Sequence, residues 1–115
     1  MATDHRPRIK TYVGATARKL RFQMRDPDTG GALDITDVVT AVISAKFDGV
    51  ATYQIESASM TIEVGTDGWL YFYPTSAQVD TKGDLSANIR LNYASDLDYS
   101  NEFVIEVDNA YDSTV

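Results

Sequence analysis

Short segments in which apolar and polar residues alternate limit the fold of this chain more than any other feature. In residues 19–25, Leu20, Phe22 and Met24 fall on one side, and lysine, arginine and glutamine fall on the other. A period of two is typical of a β-strand with one buried face. Turn-forming glycine, proline and aspartate separate such segments. The sequence predicts further strands at 9–13, 38–47, 50–56, 60–64, 69–73, 85–91 and 103–107.

Short strands about ten residues apart are typical of an antiparallel sandwich, because parallel strands need long crossover connections. We therefore predict an all-β, antiparallel β-sandwich of about 7–9 short strands. The Asp48-Gly49 pair predicts a tight hairpin. The spacing of Thr75 and Gln78 is that of a capping box, which predicts at most a short helical turn near residues 75–80.

The 115-residue chain has the size of one domain. We predict a basic N-terminal arm at residues 1–8, the sandwich at 9–110 and a C-terminal tail at 111–115. The arm is expected because residues 1–8 carry charge and a proline but no alternation. The absence of cysteine excludes disulfides and thiolate metal sites.

Charge is distributed unevenly along the chain. Residues 1–25 sum to +6 and residues 26–115 to −13, which gives the net charge of −7. One interpretation is a steered contact with partners; the other is that the basic strand pairs with acidic strands of its own fold. The first interpretation predicts these partner-binding residues: Arg6, Arg8, Lys10, Arg18, Lys19 and Arg21.

Catalysis is not expected. The one histidine, His5, lies in the predicted arm, far from any fixed serine or carboxylate partner. Residues 26–37 differ from a calcium loop, with glycine in the fifth place and Asp37 in the twelfth. We therefore predict no enzyme activity, no metal and no cofactor. With a pI near 4.4 and no long apolar run, neither nucleic acid nor a membrane is an expected partner.

Trp69, Tyr71 and Tyr73 share one face of their predicted strand. The residues could pack in the core, with Trp69 as a plug, or could form an aromatic contact surface. The second possibility leads to an alternative function, a carbohydrate-binding or host-adhesion module that stacks sugars on these three rings.

The order of motifs resembles a known family. Residues 26–37, Asp-Pro-Asp-Thr-Gly-Gly-Ala-Leu-Asp-Ile-Thr-Asp, are similar to the "Asp-x-x-Gly-x-Pro-x-Asp-Leu-Thr" opening of the N-terminal domain of phage baseplate upper proteins. Residues 38–45, 68–72, 81–89 and 103–107 resemble its later strands. The sequence departs from the pattern at Ala32, where the family has proline, and at Leu85, where it has tyrosine. It also lacks the family's long C-terminal receptor-binding extension.

The resemblance implies an immunoglobulin-like β-sandwich in a bacteriophage virion, made in the host bacterial cytoplasm. It implies a structural protein of the tail, baseplate, neck, connector or capsid decoration. Its expected partners are other virion proteins, in a homo-oligomer or multi-copy ring. On this hypothesis the basic arm would bind those partners.

Overall fold

The computed structural model describes residues 6–26 and 28–109. The first five residues of the predicted arm, with His5, and the predicted tail at 111–115 lie outside the described residues, as does Pro27. The strands are β1 (Arg8–Tyr12), β2 (Leu20–Gln23), β3 (Thr40–Phe47), β4 (Ile55–Val64), β5 (Trp69–Phe72), β6 (Gly83–Asn92), β7 (Leu97–Tyr99) and β8 (Phe103–Asp108). A 3-10 turn, Gly65–Asp67, joins β4 to β5.

The strands form two layers that share one strand. The larger sheet has the order β1-β8-β6-β3-β4, and β7 pairs with the end of β6. The smaller sheet has the order β4-β5-β2. The all-β, immunoglobulin-like sandwich is therefore confirmed. Every pairing is antiparallel except that of β1 with β8, which is parallel and which the expectation of an antiparallel sandwich missed.

The core lies between the inward faces of the two sheets. The rings of Phe22 on β2 and Phe103 on β8 lie 4.8 Å apart between centroids and join the two layers. Apolar side chains supply nearly all of the buried surface, and their removal from water is the main stabilising contribution. The largest fully buried members of this core are Leu20, Ile35, Ile43, Ile55, Leu70, Leu85, Ile89, Leu91 and Ile105.

The connection between β3 and β4 differs from its prediction. Residues 50–54, predicted as the start of a strand, form a loop, and the Asp48-Gly49 turn is only its beginning. The Gln54 side chain ties the end of the loop to the turn at residues 75–80, because its amide donates to Ala77 O at 2.8 Å and Asp80 Oδ1 at 3.0 Å. One ten-residue strand, β4, then includes the last two residues of the strand predicted at 50–56 and all of the strand predicted at 60–64.

Residues 75–80 form a single turn, in agreement with the prediction of at most a short helical turn there. The capping box closes it, since Thr75 N donates to Gln78 Oε1 at 2.9 Å and Gln78 N donates to Thr75 Oγ1 at 3.3 Å. Val79 is fully buried, and its carbonyl accepts from Gly14 N. The turn therefore closes one end of the sandwich.

The predicted boundary between arm and sandwich lies too far along the chain. β1 begins at Arg8, inside the segment predicted as an arm, and Pro7 O accepts from Val104 N at 2.8 Å. The described part of that segment, residues 6–8, therefore lies against β8. The reason is that strand pairing depends on the backbone, whereas the prediction relied on alternation of side chains.

Candidate functional site

Arg8 and Lys10 lie on the outer face of β1 and contact acids of the neighbouring strands. Arg8 Nη2 lies 2.8 Å from Asp84 Oδ2 and 3.1 Å from Glu106 Oε1. Lys10 Nζ lies 3.3 Å from Asp108 Oδ2. The hydrogen bond with Asp108 raises the pKa of Lys10, and those with Asp84 and Glu106 raise the pKa of Arg8.

Arg6 extends this ion-pair layer over the same face. Its Nη1 donates to Ser86 Oγ at 2.6 Å and to Glu102 Oε2 at 2.9 Å. Its Nη2 lies 3.7 Å from Asp48 Oδ2. Val104, opposite Ser86 in the register, is fully buried although it lies outside the main core. The layer therefore covers apolar surface on the outside of the sheet.

Lys19 and Arg21 flank one carboxylate on the outer face of the smaller sheet. Glu63 accepts from Lys19 Nζ at 2.9 Å, and its Oε1 lies 2.7 Å from Arg21 Nη2. The hydrogen bond from Lys19, together with that from Arg21, lowers the pKa of Glu63. Lys19 Nζ also lies 4.3 Å from the centroid of Tyr71, and Arg21 Cζ lies 3.9 Å from that of Trp69.

The predicted partner-binding residues are therefore not gathered into one site. Five of them contact acids of this chain, and the sixth, Arg18, lies over the ring of Tyr12 at 5.5 Å. This arrangement matches the alternative interpretation, in which the basic strands pair with acidic strands of their own fold. A role for these side chains in binding partners stays a prediction.

The alternative of a sugar-stacking platform is not supported by the aromatic face. Trp69 is half-buried and directed outward, so it is not a core plug. Arg21 and Lys19 already cover one face of Trp69 and of Tyr71, and the ring of Tyr73 meets that of Tyr71 edge-on at 5.9 Å. Cations therefore occupy the ring faces on which a sugar would stack.

The Lys19–Glu63–Arg21 cluster predicts a pH dependence of stability. The pKa of Glu63 is lower in the folded chain than in the unfolded chain, so the unfolded chain binds the proton more readily. The stabilisation is complete above about pH 5 and is lost as the pH falls through the lowered pKa. We expect Glu63→Gln to lower the Tm at pH 7 slightly, and the difference from the native protein to shrink in acid. Calorimetry across this pH range measures it; a difference that grows in acid contradicts the assignment.

An open cleft of about 580 Å³ lies where the edge of β2 faces the beginnings of β1 and β8. The end of β7 and the loop at residues 100–102 form one wall, and β2 with its extension to residue 26 forms another. Sequence analysis missed the cleft, because nothing in local alternation shows which strand edges stay apart. Its apolar lining consists of Ile9, Phe22, Met24, Leu33, Ile89 and Phe103.

The cleft runs beside a strand edge whose backbone groups have no partner among the described residues. Met24 N donates to Gly68 O, so alternate residues of β2, Phe22 and Leu20, direct their amides toward β5. The N–H and C=O groups of Arg21 and Gln23 consequently point to the opposite side, into the cleft. An edge of this kind is a ready template for another strand.

The described ranges contain no group of three or more histidine, cysteine, aspartate or glutamate side chains placed to hold a metal ion. None of their helical segments has the length and apolarity needed to cross a membrane.

Comparisons with known proteins give a likeness of fold alone. No family model matches the chain, and no curated protein matches it. A similar solved structure is the crystal structure of CopC from Methylosinus trichosporium OB3b. It is 14% identical, with a TM-score of 0.48 over 90% of this chain and 87% of that chain. A likeness at this level concerns the arrangement of strands and not the chemistry.

The comparison corrects the expected function. The predicted role as a bacteriophage virion structural protein, with its alternative of a carbohydrate-binding or host-adhesion module, is wrong. The similar solved structure is described as CopC, and neither a family model nor a curated protein links the chain to a virion. The motifs that suggested baseplate proteins are mostly turn residues and alternation, which many sandwiches share. No family model matches the chain in support of that resemblance.

Proposed function

We propose that this domain is a non-catalytic binding module that accepts an extended polypeptide segment in the cleft beside β2. The observation that carries the proposal is the coincidence of two features: an apolar cleft and an unpaired strand edge along it. Addition of a strand to an exposed sheet edge is a recurring way in which proteins bind peptides.

The edge selects a polypeptide by its backbone. Arg21 and Gln23 lie two residues apart, so their outward N–H and C=O groups repeat at about 6.8 Å, the period of a pleated strand. A bound segment in the extended conformation presents its own groups at the same period. The smaller sheet, which ends at β2, would gain one strand.

The floor of the cleft selects apolar side chains at every second position. Side chains of an added strand point alternately into the sandwich and away from it. Those that point inward would meet the exposed parts of Ile9, Phe22 and Phe103. Burial of apolar side chains in the cleft supplies affinity at about 25 cal/mol per Å² of surface removed from water.

Amide hydrogen exchange gives a direct test. In the free protein we expect the amides of Arg21 and Gln23 to exchange at least about tenfold faster than those of Phe22 and Met24. A blocked seven-residue peptide of alternating valine and threonine should slow amide exchange at Arg21 and Gln23 about tenfold. The same peptide with proline in place of threonine lacks the N–H donors that would face the edge of β2. It should leave the exchange rates at Arg21 and Gln23 unchanged.

A variant of the edge separates binding from folding. Gln23→Pro removes one outward donor, whereas Gln23→Ala keeps that donor and removes only the side chain and its bond to Asp67 O. We expect the proline variant to lose peptide binding and the alanine variant to keep it. Equal binding by both variants, or no slowing of the two amides at millimolar peptide, would overturn the proposal.

A further inference from the structure

Every second residue along β2 points out of the sandwich at the edge that borders the cleft. Leu20 and Met24 are buried, so the residues that alternate with them have their side chains on the outer face of the smaller sheet. This outer row consists of Arg21, Gln23 and Arg25, which all line the cleft. A strand added at the edge would place its own outward side chains beside the outer row, with paired Cα atoms about 5.5 Å apart.

The edge that borders the cleft continues past the end of β2 to Arg25. Met24 N donates to Gly68 O at 2.8 Å, and Met24 O accepts from Leu33 N at 2.9 Å. The backbone of Met24 is therefore paired on the side of β5. The N–H and C=O groups of the next residue, Arg25, consequently point to the other side, into the cleft. The edge thus offers three residues to a bound strand.

The two arginines of the outer row differ in their partners. Arg21 Nη2 lies 2.7 Å from Glu63 Oε1, and Arg21 Cζ lies over the ring of Trp69, so an acid of the chain already balances part of this charge. Arg25 is exposed, and its Nη1 donates to the carbonyl of Gly30 at 3.0 Å. No carboxylate in the described part of the chain forms an ion pair with Arg25. A carboxylate on a bound strand would supply that partner.

The three acids that line the cleft do not belong to the outer row. Asp98 stands opposite the buried Leu91 in the register, so its side chain lies on the inner side of the larger sheet. Asp26 accepts a hydrogen bond within its own turn, from the amide two residues further on. Glu102 is ion-paired in the layer over the larger sheet. An outward carboxylate of a bound strand would therefore have cations as its neighbours on β2.

The chain already contains a strand pair with this distribution of charge. β8 alternates buried apolar residues with two outward acids, Glu106 and Asp108. Its neighbour β1 carries outward cations, and Lys10 Nζ lies 3.3 Å from Asp108 Oδ2. Within this fold, a strand with outward cations is thus paired with a strand that alternates apolar and acidic residues. β2 carries the cations and, among the described residues, has no strand beside it on the side of the cleft.

We propose that the segment bound in the cleft is one in which apolar residues alternate with acidic ones. This inference rests on the proposed function and adds to it the chemistry of the partner's outward side chains. Opposite charges that face each other across a strand pair are stabilising, and like charges are destabilising. The net charge of −7 attracts a basic segment at long range, but its cations would then stand beside Arg21 and Arg25. Contacts between neighbouring side chains decide the preference, because salt screens the long-range attraction beyond about 8 Å.

Two isosteric peptides test the charge preference. In the blocked seven-residue peptide of valine and threonine, the first and third threonines would stand opposite the two arginines of the outer row. Replacement of both by glutamate or by glutamine gives peptides that differ in charge and hardly in size. NMR titration of the Arg21 and Gln23 amide signals at about 0.15 M salt gives the two dissociation constants. We expect the glutamate peptide to bind at least about threefold more tightly, and a lysine peptide to bind more weakly than the glutamine peptide.

A pair of variants locates the effect on the outer row. Arg25→Gln and Arg18→Gln each remove one positive charge, but Arg18 lies over the ring of Tyr12 and does not line the cleft. We expect the preference for the glutamate peptide over the glutamine peptide to fall below about twofold in Arg25→Gln. It should keep its native value in Arg18→Gln. The preference is a ratio measured within each variant, so a general weakening of binding does not change it.

The outcomes separate this inference from the proposed function. If the valine–threonine peptide binds but the native protein does not prefer the glutamate peptide, the inference is overturned and the proposed function stands. Equal losses of preference in Arg25→Gln and Arg18→Gln also overturn the inference, because they would show an effect of net charge alone. If none of the peptides binds, the proposed function fails and the inference fails with it.

Discussion

Gly68→Ala is expected to destabilise the domain by more than about 4 kcal/mol, a large part of the roughly 5–15 kcal/mol that separates the folded from the unfolded state of a typical domain. Gly68 follows the Gly65–Asp67 turn with φ of 75°, in the left-handed region. A Cβ atom there would lie 2.6 Å from Met24 O and 2.7 Å from Leu33 O. Both oxygens belong to the backbone. Met24 O accepts from Leu33 N, and Met24 N donates to Gly68 O, so the backbone of Met24 cannot retreat from a Cβ atom at Gly68 without straining these two bonds.

Gly49→Ala is the matched control. Gly49 has a similar φ of 79°, but a Cβ atom there would meet nothing within 4 Å. Its substitution carries only the cost of a left-handed alanine, about 1–2 kcal/mol. Urea unfolding of the two variants separates conformational strain from the steric clash. Similar free energies of unfolding for the two variants would show that the backbone around Gly68 can yield.

Ile43→Ala is expected to lower the free energy of unfolding by about 2–5 kcal/mol. Ile43 is fully buried at the centre of β3, between Ala58 on β4 and Ile89 on β6. Removal of its side-chain carbons leaves a cavity at the middle of the larger sheet, where the surrounding strands cannot collapse to fill it.

Its neighbour Val42 provides the comparison, because it occupies the same strand and points to the other face. Val42 is only half-buried, so Val42→Ala should cost less than about 1 kcal/mol. Urea unfolding of the two variants measures the difference. If both substitutions cost the same, the assignment of inner and outer faces to β3 is wrong.

Local alternation was enough to predict strands that have one buried face. β2, β5, β6 and β8 lie within a residue or two of their predicted ranges at most ends, because their buried side chains recur at every second position. β7 was not predicted, because Leu97, Asp98 and Tyr99 are all exposed. The strand therefore has no buried face that would produce a pattern of alternation. Its pairing with β6 depends on the backbone alone.

The break in the pattern between Glu56 and Met60 was harder to interpret. Ser57 has a positive φ of 47°, and its N–H donates to Ser44 Oγ at 3.0 Å, which accompanies a register shift between β3 and β4. Alternation is lost at such an irregularity, so one bent strand gave the pattern of two short ones. The shift depends on a contact between strands, which local sequence does not show.

The candidate sites depend more than the strands do on contacts between residues that are distant in the sequence. Opposite charges could be counted in the sequence, but the pairing of Arg8 with Asp84 joins residues far apart along the chain. The cleft exists because the edge of β2 and the beginning of β1 remain apart. Neither the ion pair nor the cleft follows from any one segment.

The parallel pairing of β1 with β8 also has a consequence for synthesis on the ribosome. Arg8 pairs with Val104, so the first strand has no partner until the last has left the exit tunnel. At about 5–20 residues per second, β1 waits roughly 5 to 20 seconds for β8 to be made. The larger sheet therefore closes only after β8 has been made, and such distant pairing also favours slow folding.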